Sequence, residues 1–424
     1  MMFDSNPMVH PELSEKWRLP FDVVSVIMAT PEPPLISALM KTCHTLYMEG
    51  PKHLLRDGVQ LDSANRIILF ARFMLTAKDP SRFSHFRKLD LRPRFPLDFP
   101  YAQKLLIDLL SHPSLALDTM ILDNMTGRLD RGLDSVCGML GTIQTLRHLV
   151  VLRVGEVSAS LIQSLPSKLE SLIMGVDANA GSRLDVMSVL RPFSDTLQTL
   201  LIKCTPSLPP TFSLTGTSSY FPFVRTFGIV VYDPVLELLA NPAFARAFPS
   251  VTHLQLIPAD PPTVPYRSPP LPQSRNTGTL PTPSSLMECS GALHHVYASA
   301  LDCSLSTLRL WQHVLVRDLD LLRTVLGDTR PQHLCFGTQV DDVRQVLSIL
   351  DALENHTPPR IDMTVLIPPS GSSWLSRLLK GPRDMVRTPP FLVVSLPLSN
   401  GSAATAGQPF LPPILFAASS NWLG

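Results

Sequence analysis

The sequence predicts an α/β fold: a short helical unit at the N-terminus, then an irregular solenoid of parallel strands on a concave face with helices outside. Three observations carry this. A six-residue apolar pattern recurs at near-constant spacing. Apolar runs of helical period lie between its copies. Three short amphipathic segments, punctuated by proline, precede the first copy.

The first element opens at Leu19-Pro20, because proline is tolerated where a helix leaves its first amides unbonded anyway. Asp22 suits the positive end of the helix dipole. Val23, Val24, Ile27 and Met28 then form one apolar stripe. Thr30-Pro31-Glu32-Pro33-Pro34 stops it. A second helix is expected to carry Leu35, Leu39, Cys43 and Leu46, and a third short one His53, Leu54 and Leu55. Residues 1–15 are expected to be a flexible lead, and 16–60 the helical unit. Faces this small make a poor independent core, so the unit calls for a partner surface or a flanking domain.

The repeats follow over 61–368. The pattern is apolar, two variable, apolar, one variable, apolar. It starts as FRKLDL (Phe86, Leu89, Leu91). Its middle apolar residue then recurs at Met120, Leu149, Leu172, Leu200, Phe227, Leu254, Leu308 and Leu334, with a weak copy near Met363. Successive steps are 23 to 31 residues, except for 54 between Leu254 and Leu308, as if one repeat were lost or replaced. Each copy alternates inward apolar with outward variable residues, which is the period of a strand. Helical runs stand between copies at 101–112, 158–166, 233–240, 322–330 and 340–356. Strand, helix, strand implies parallel pairing through crossovers. The competing arrangement is a doubly wound sheet with accidental spacing.

Proline is the outlier of composition, 42 of 424 residues, about twice the usual ~5%. It is concentrated in segments. Residues 258–283 hold nine prolines and no apolar period, so a long loop is expected to interrupt the repeats there. Residues 369–424 are again rich in Pro, Ser and Gly. They read as a poorly ordered tail, with FLVVSLPL (391–398) as a possible last edge strand.

The remaining arithmetic excludes classes. Lys plus Arg is 36 and Asp plus Glu 35, which leaves no basic footprint for nucleic acid. A hydrophobic content of 45% is too high for a disordered chain. No stretch has the ~18 uninterrupted apolar residues of a membrane span. The N-terminus lacks the pattern of a secretory signal, and six scattered cysteines read as reduced thiols. A cytoplasmic or nuclear location is expected.

The recurring pattern is similar to the core of leucine-rich repeats, in a long version of about 27 residues whose copies lack the usual turn asparagine. LPFDVVSVIM, a proline break and LISALMKTCHTLY together resemble the F-box. The pairing is similar to F-box-like proteins of mushroom-forming fungi. That resemblance implies docking on the Skp-type adaptor of a cullin–RING ubiquitin ligase through Leu19, Pro20, Val23, Val24, Ile27, Leu39 and Cys43. The other reading of this stripe is an end cap for the solenoid.

Outward strand residues Arg87, Lys88, Asp90, Arg147, Lys203, Arg309 and Trp311, with neighbouring loops, are the candidates for holding an unknown target protein. No catalytic signature of the H-E-x-x-H, G-x-S-x-G, P-loop or G-x-G-x-x-G kind occurs. His294-His295, near Cys289 and Cys303, reads as ordinary core and surface. No cofactor and no metal site is expected. SPPLP (268–272) reads as spacer, although P-x-x-P segments can dock on small aromatic grooves. No single arginine stands out for a GTPase-activating role.

Overall fold

The computed structural model describes residues 21–29, 32–76, 80–92, 99–123, 138–166, 168–176, 184–203, 212, 220–231, 239, 242–258, 285–339, 343–354, 358–367 and 392–399. The expected flexible lead, Leu19 and Pro20, most of the 233–240 run, the proline loop beyond Pro258, SPPLP and the last 25 residues lie outside these.

One thirteen-stranded sheet runs through the described residues, and its strand order is the chain order. The strands are β1 (Val59–Leu61), β2 (Lys88–Leu91), β3 (Thr119–Asp123), β4 (His148–Val154), β5 (Ser171–Val176), β6 (Thr199–Lys203) and β7 (Thr226–Val231). They continue as β8 (His253–Pro258), β9 (Glu288–Gly291), β10 (Thr307–Val314), β11 (His333–Gln339), β12 (Arg360–Ile367) and β13 (Leu392–Ser399). All neighbours pair in parallel except the last two, which are antiparallel.

The register confirms the phase read from the sequence. Leu89 pairs with Met120, Met120 with Leu149, then Leu172, Leu200, Phe227 and Leu254 in turn. Burial alternates along β3, β5, β6 and β11, with the odd-phase leucines buried and their neighbours partly open. The buried face packs against helices, and the other face stays accessible. A doubly wound sheet would cover both faces and reverse its strand order midway, so that alternative is excluded. The fold is a solenoid-like α/β stack.

The doubled step between Leu254 and Leu308 is corrected by β9. No repeat is lost: Leu254 pairs with Cys289, and Cys289 with Leu308. The copy is LMECSG, with Leu286 buried in the usual first place and Cys289 in the middle one. Gly291 takes the third place for a steric reason. A Cβ there would stand 2.8 Å from both Cβ and the carbonyl oxygen of Leu256.

A main-chain device repeats at the start of the strands. Two successive amides donate to one carbonyl of the preceding repeat. Asp118 and Thr119 share Arg87 O, Arg147 and His148 share Asp118 O, and Glu170 and Ser171 share Arg147 O. The same pairing continues through the carbonyls of Glu170, Gln198, Arg225, Thr252 and Met287. Thr145 and Thr196 add side-chain bonds to Leu117 O and Leu169 O, at 2.6 and 2.8 Å. The backbone thus registers one repeat on the next without the turn asparagine.

The N-terminal helices are α1 (Phe21–Met28), α2 (Pro33–Met40) and α3 (His44–Arg56). The expected second helix is corrected here. It ends at Met40, Cys43 is extended and caps α3, and Leu46 belongs to α3 together with His53, Leu54 and Leu55. The turn is closed by Thr42, whose hydroxyl donates to Leu39 O at 2.7 Å. Gly50 lets α3 approach α2, since a Cβ there would overlap the Met40 side chain. Gly58 ends the unit with φ +93°, a backbone that side chains resist, and leads directly into β1.

Helices of the buried face include α4 (Ala64–Leu75), α5 (Ser81–His85), α6 (Pro100–Leu110), α7 (Glu156–Ser164), α8 (Val186–Leu190) and α9 (Pro242–Ala247). α10 (Leu293–Ala298), α11 (Leu319–Thr329) and α12 (Val343–Glu354) complete them. They include the expected helical runs at 101–112, 158–166, 322–330 and 340–356. The expected tail also contributes: β13 matches the 391–398 pattern and closes the sheet. One continuous apolar core runs from Leu55 to Val365, beside a small one of Met28, Ile36, Met40 and Leu46.

Candidate functional site

Two surfaces remain open to partners: the outside of the helical unit and the accessible face of the sheet. The helical unit has two faces. Met28, Ile36, Met40 and Leu46 turn inward, with Val24, Leu39, Leu54 and Phe73 packed around them. On the outside, Val26 is 70% exposed, and Val23, Leu35, Tyr47 and Met48 are also exposed. The sequence-derived docking residues divide accordingly. Val23 and Cys43 are exposed, while Val24, Ile27 and Leu39 are part-buried. Leu19 and Pro20 fall outside the described residues. Val26 was not singled out in the sequence, because the stripe of α1 was read through Val23 and Ile27.

The unit is joined to the first repeat by a buried arginine. Arg82 of α5 donates from Nη1 to Phe73 O at 2.8 Å. Its guanidinium lies 4.5 Å from the Phe73 ring and 4.7 Å from the Tyr47 ring. Tyr47 belongs to α3 and Phe73 to α4, so one cation is held between aromatic faces from both sides of the junction. A cleft of about 700 Å³ lies beside it, lined by Met40, Leu54, Leu69 and Phe73 among others.

The accessible sheet face changes character along its length. Ile121, Val150, Ile173 and Leu201 are register partners on β3 to β6 and form an aliphatic band. Further on the same row turns polar: Gln255, Ser290, Arg309, Cys335 and Asp362. The predicted target-binding residues are spread over this surface. Arg87, Arg147, Lys203, Arg309 and Trp311 are exposed, and Lys88 and Asp90 are part-buried. Arg147 pairs with Glu170 at 3.1 Å, and Arg309 with Glu288 at 2.9 Å. Trp311 sits at the irregularity between Leu310 and His313 in β10. These residues do not converge on one point.

Reactive groups are mostly held quiet. Burial pushes the Cys289 thiol up, and pushes Cys303 up to about 11. Burial also raises Cys335, against the pull of Arg309 and Arg360. None of these three is therefore a thiolate poised for attack at neutral pH. Burial, with repulsion from His294, holds His295 down to about 3, and its Nδ1 has no hydrogen-bond partner. His294 is likewise lowered by burial. The histidine pair with Cys289 and Cys303 does not assemble a three-donor group. His333, Cys335 and Asp362 do, the one such group among the described residues. Sequence reading missed it because Asp362 comes from the next strand.

No helix among the described residues is long and apolar enough to cross a membrane. Comparison with protein-family models finds no match, and comparison with curated proteins finds none either.

Proposed function

We propose that the chain is a non-catalytic substrate-recognition subunit of an SCF-type cullin–RING ubiquitin ligase. The N-terminal unit docks the Skp-type adaptor, and the accessible sheet face, a leucine-rich-repeat surface in this reading, holds the target protein. The observation that carries the proposal is the two-faced helical unit. Its inner residues are already satisfied against one another and Phe73 of α4, so its exposed apolar residues Val23, Val26 and Leu35 are not spent on the fold. Such a face suits docking on a helical partner. The contribution to ubiquitin transfer is proximity: the target's lysines are held at high effective concentration near the charged conjugating enzyme.

A second reading is favoured by the Arg82 junction. A unit clamped to the first repeat serves as an end cap, and the chain is then a repeat scaffold without ligase recruitment.

Capture of purified Skp-type adaptor on the full chain tests both. The wild type is expected to retain adaptor, and Val23→Asp/Val26→Asp and Leu19→Ala/Pro20→Ala to lose about tenfold or more. A wild type that retains none sinks the ligase reading and leaves the cap. Equal retention by wild type and both variants removes the docking assignment.

A further inference from the structure

Strand periodicity puts His333 and Cys335, two residues apart on β11, on the same accessible face. The parallel register then sets Asp362 of β12 directly beside Cys335. The result is a nitrogen, a sulfur and an oxygen donor within 4.8 Å of one another. His333 Nε2 lies 2.8 Å from Asp362 Oδ2 and 3.3 Å from Cys335 Sγ.

The direction of these contacts decides between two chemistries. A Cys-His-Asp nucleophilic relay needs the thiol and the carboxylate on opposite ring nitrogens. Here both face Nε2, and Nδ1 is 4.0 Å from the sulfur. Three donors converging on one point is the geometry of a metal site. With Zn–N and Zn–O of about 2.0–2.1 Å and Zn–S of about 2.3 Å, tetrahedral ligands stand roughly 3.3–3.6 Å apart. The His333–Cys335 separation of 3.3 Å is already in this range, and the His333–Asp362 separation of 2.8 Å has to widen to reach it.

We propose that His333, Cys335 and Asp362 form a three-ligand zinc site on the accessible face of the sheet, with its fourth position open to water or to a side chain of a bound protein. The mixed nitrogen, sulfur and oxygen set suits Zn²⁺ better than the hard, oxygen-seeking cations. A thiolate and a carboxylate balance the dication. Arg360 reaches both oxygens of Asp362, Nη2 to Oδ2 at 3.1 Å and Nε to Oδ1 at 3.4 Å. Ligation through Oδ2 leaves Oδ1 for Arg360, which then orients the carboxylate as outer-shell partners do. The other nearby cation, Arg309, is already committed to Glu288. The site stands independently of how the helical unit is used.

Cobalt is the spectroscopic probe for such a site. The full-length chain, stripped with chelator, is titrated with Co²⁺ and then with Zn²⁺ as competitor. The expected result is one equivalent bound, with a thiolate-to-cobalt charge-transfer band and intense tetrahedral d–d bands, both removed by Zn²⁺. Cys335→Ser is expected to abolish the charge-transfer band, and His333→Ala and Asp362→Asn to weaken binding about tenfold or more. Cys43→Ser and Cys303→Ser should leave the spectrum unchanged. Circular dichroism of the metal-free variants checks that each is folded, and Asp362→Asn, which keeps the side chain's shape, carries the test if Cys335→Ser is not. No band from the wild type overturns the proposal. So does an undiminished band in Cys335→Ser or in folded Asp362→Asn.

Discussion

The N-terminal helical unit and the repeat sheet behind it are built on different scales of core. The unit encloses four buried side chains, Met28, Ile36, Met40 and Leu46, whereas the sheet shares one continuous core along its length. In the sheet each buried leucine is braced by the same position in the repeats on either side. In the unit there is no such neighbour, and its anchorage is concentrated in Phe73, Leu55 and the Arg82 clamp. The contrast shows how one chain can combine an extended, mutually braced sheet with a small, loosely founded helical unit. Local stability is set by how many buried contacts an element shares.

The largest test of this contrast is a matched pair of truncations. Leu200→Ala removes a fully buried residue in mid-sheet and is expected to cost about 2–5 kcal/mol, read in urea as a shift of the main transition. Ile36→Ala should instead raise hydrogen exchange in α1 to α3 and leave the sheet's transition in place. A shift of the main transition by Ile36→Ala equal to that of Leu200→Ala would mean that the two regions unfold as one.

A smaller effect is expected at the junction. Arg82→Ala removes a hydrogen bond and two cation–π contacts, together about 1–3 kcal/mol. The expected readout is faster proteolysis between α3 and β1 with the sheet intact. Unchanged proteolysis would place the anchorage wholly in Phe73 and Leu55.

Acid should act on the sheet side, through His295. The folded chain holds this ring neutral down to about 3, against about 6.5 when unfolded. Above pH 6.5 both states are neutral and nothing changes. As pH falls below 6.5 the unfolded chain takes up a proton that the folded chain refuses, so stability declines, by roughly 3 kcal/mol at pH 4.5. His295→Phe should flatten that part of the pH profile. An unaltered profile would assign the acid sensitivity elsewhere.

Much of this architecture was legible from the spacing of apolar residues. Leucine at the first, fourth and sixth places is both the strand signal and the buried row, so Leu89, Leu149, Leu172 and Leu200 located their strands correctly. The copy at Leu286 was hidden because Cys289 and Gly291 stand where leucines were sought, and Gly291 does so because Leu256 leaves no room. The boundary between α2 and α3 was hidden differently. Leu35, Leu39, Cys43 and Leu46 continue a helical stripe across Lys41-Thr42-Cys43, and no glycine or proline marks the break. Pro51 lies inside α3. The outer docking residues of α1 were partly legible, but Arg82 was not, since its two aromatic partners lie on helices α3 and α4. The His333, Cys335 and Asp362 group depended on register, and register emerges only once strands are paired.

The shared carbonyls at the strand starts have a consequence for how this surface can change. At Arg87, Asp118, Arg147, Glu170, Gln198, Arg225 and Thr252 the inter-repeat bond is made by main chain. The side chains there carry only part of the duty of holding the stack: Arg87 donates to Ala116 O, Arg147 pairs with Glu170, and Thr252 donates to Arg225 O. Substitution along this column leaves the main-chain register bonds in place. The surface chemistry of the row running from Arg87 to Thr252 is thus largely separable from the register of the sheet.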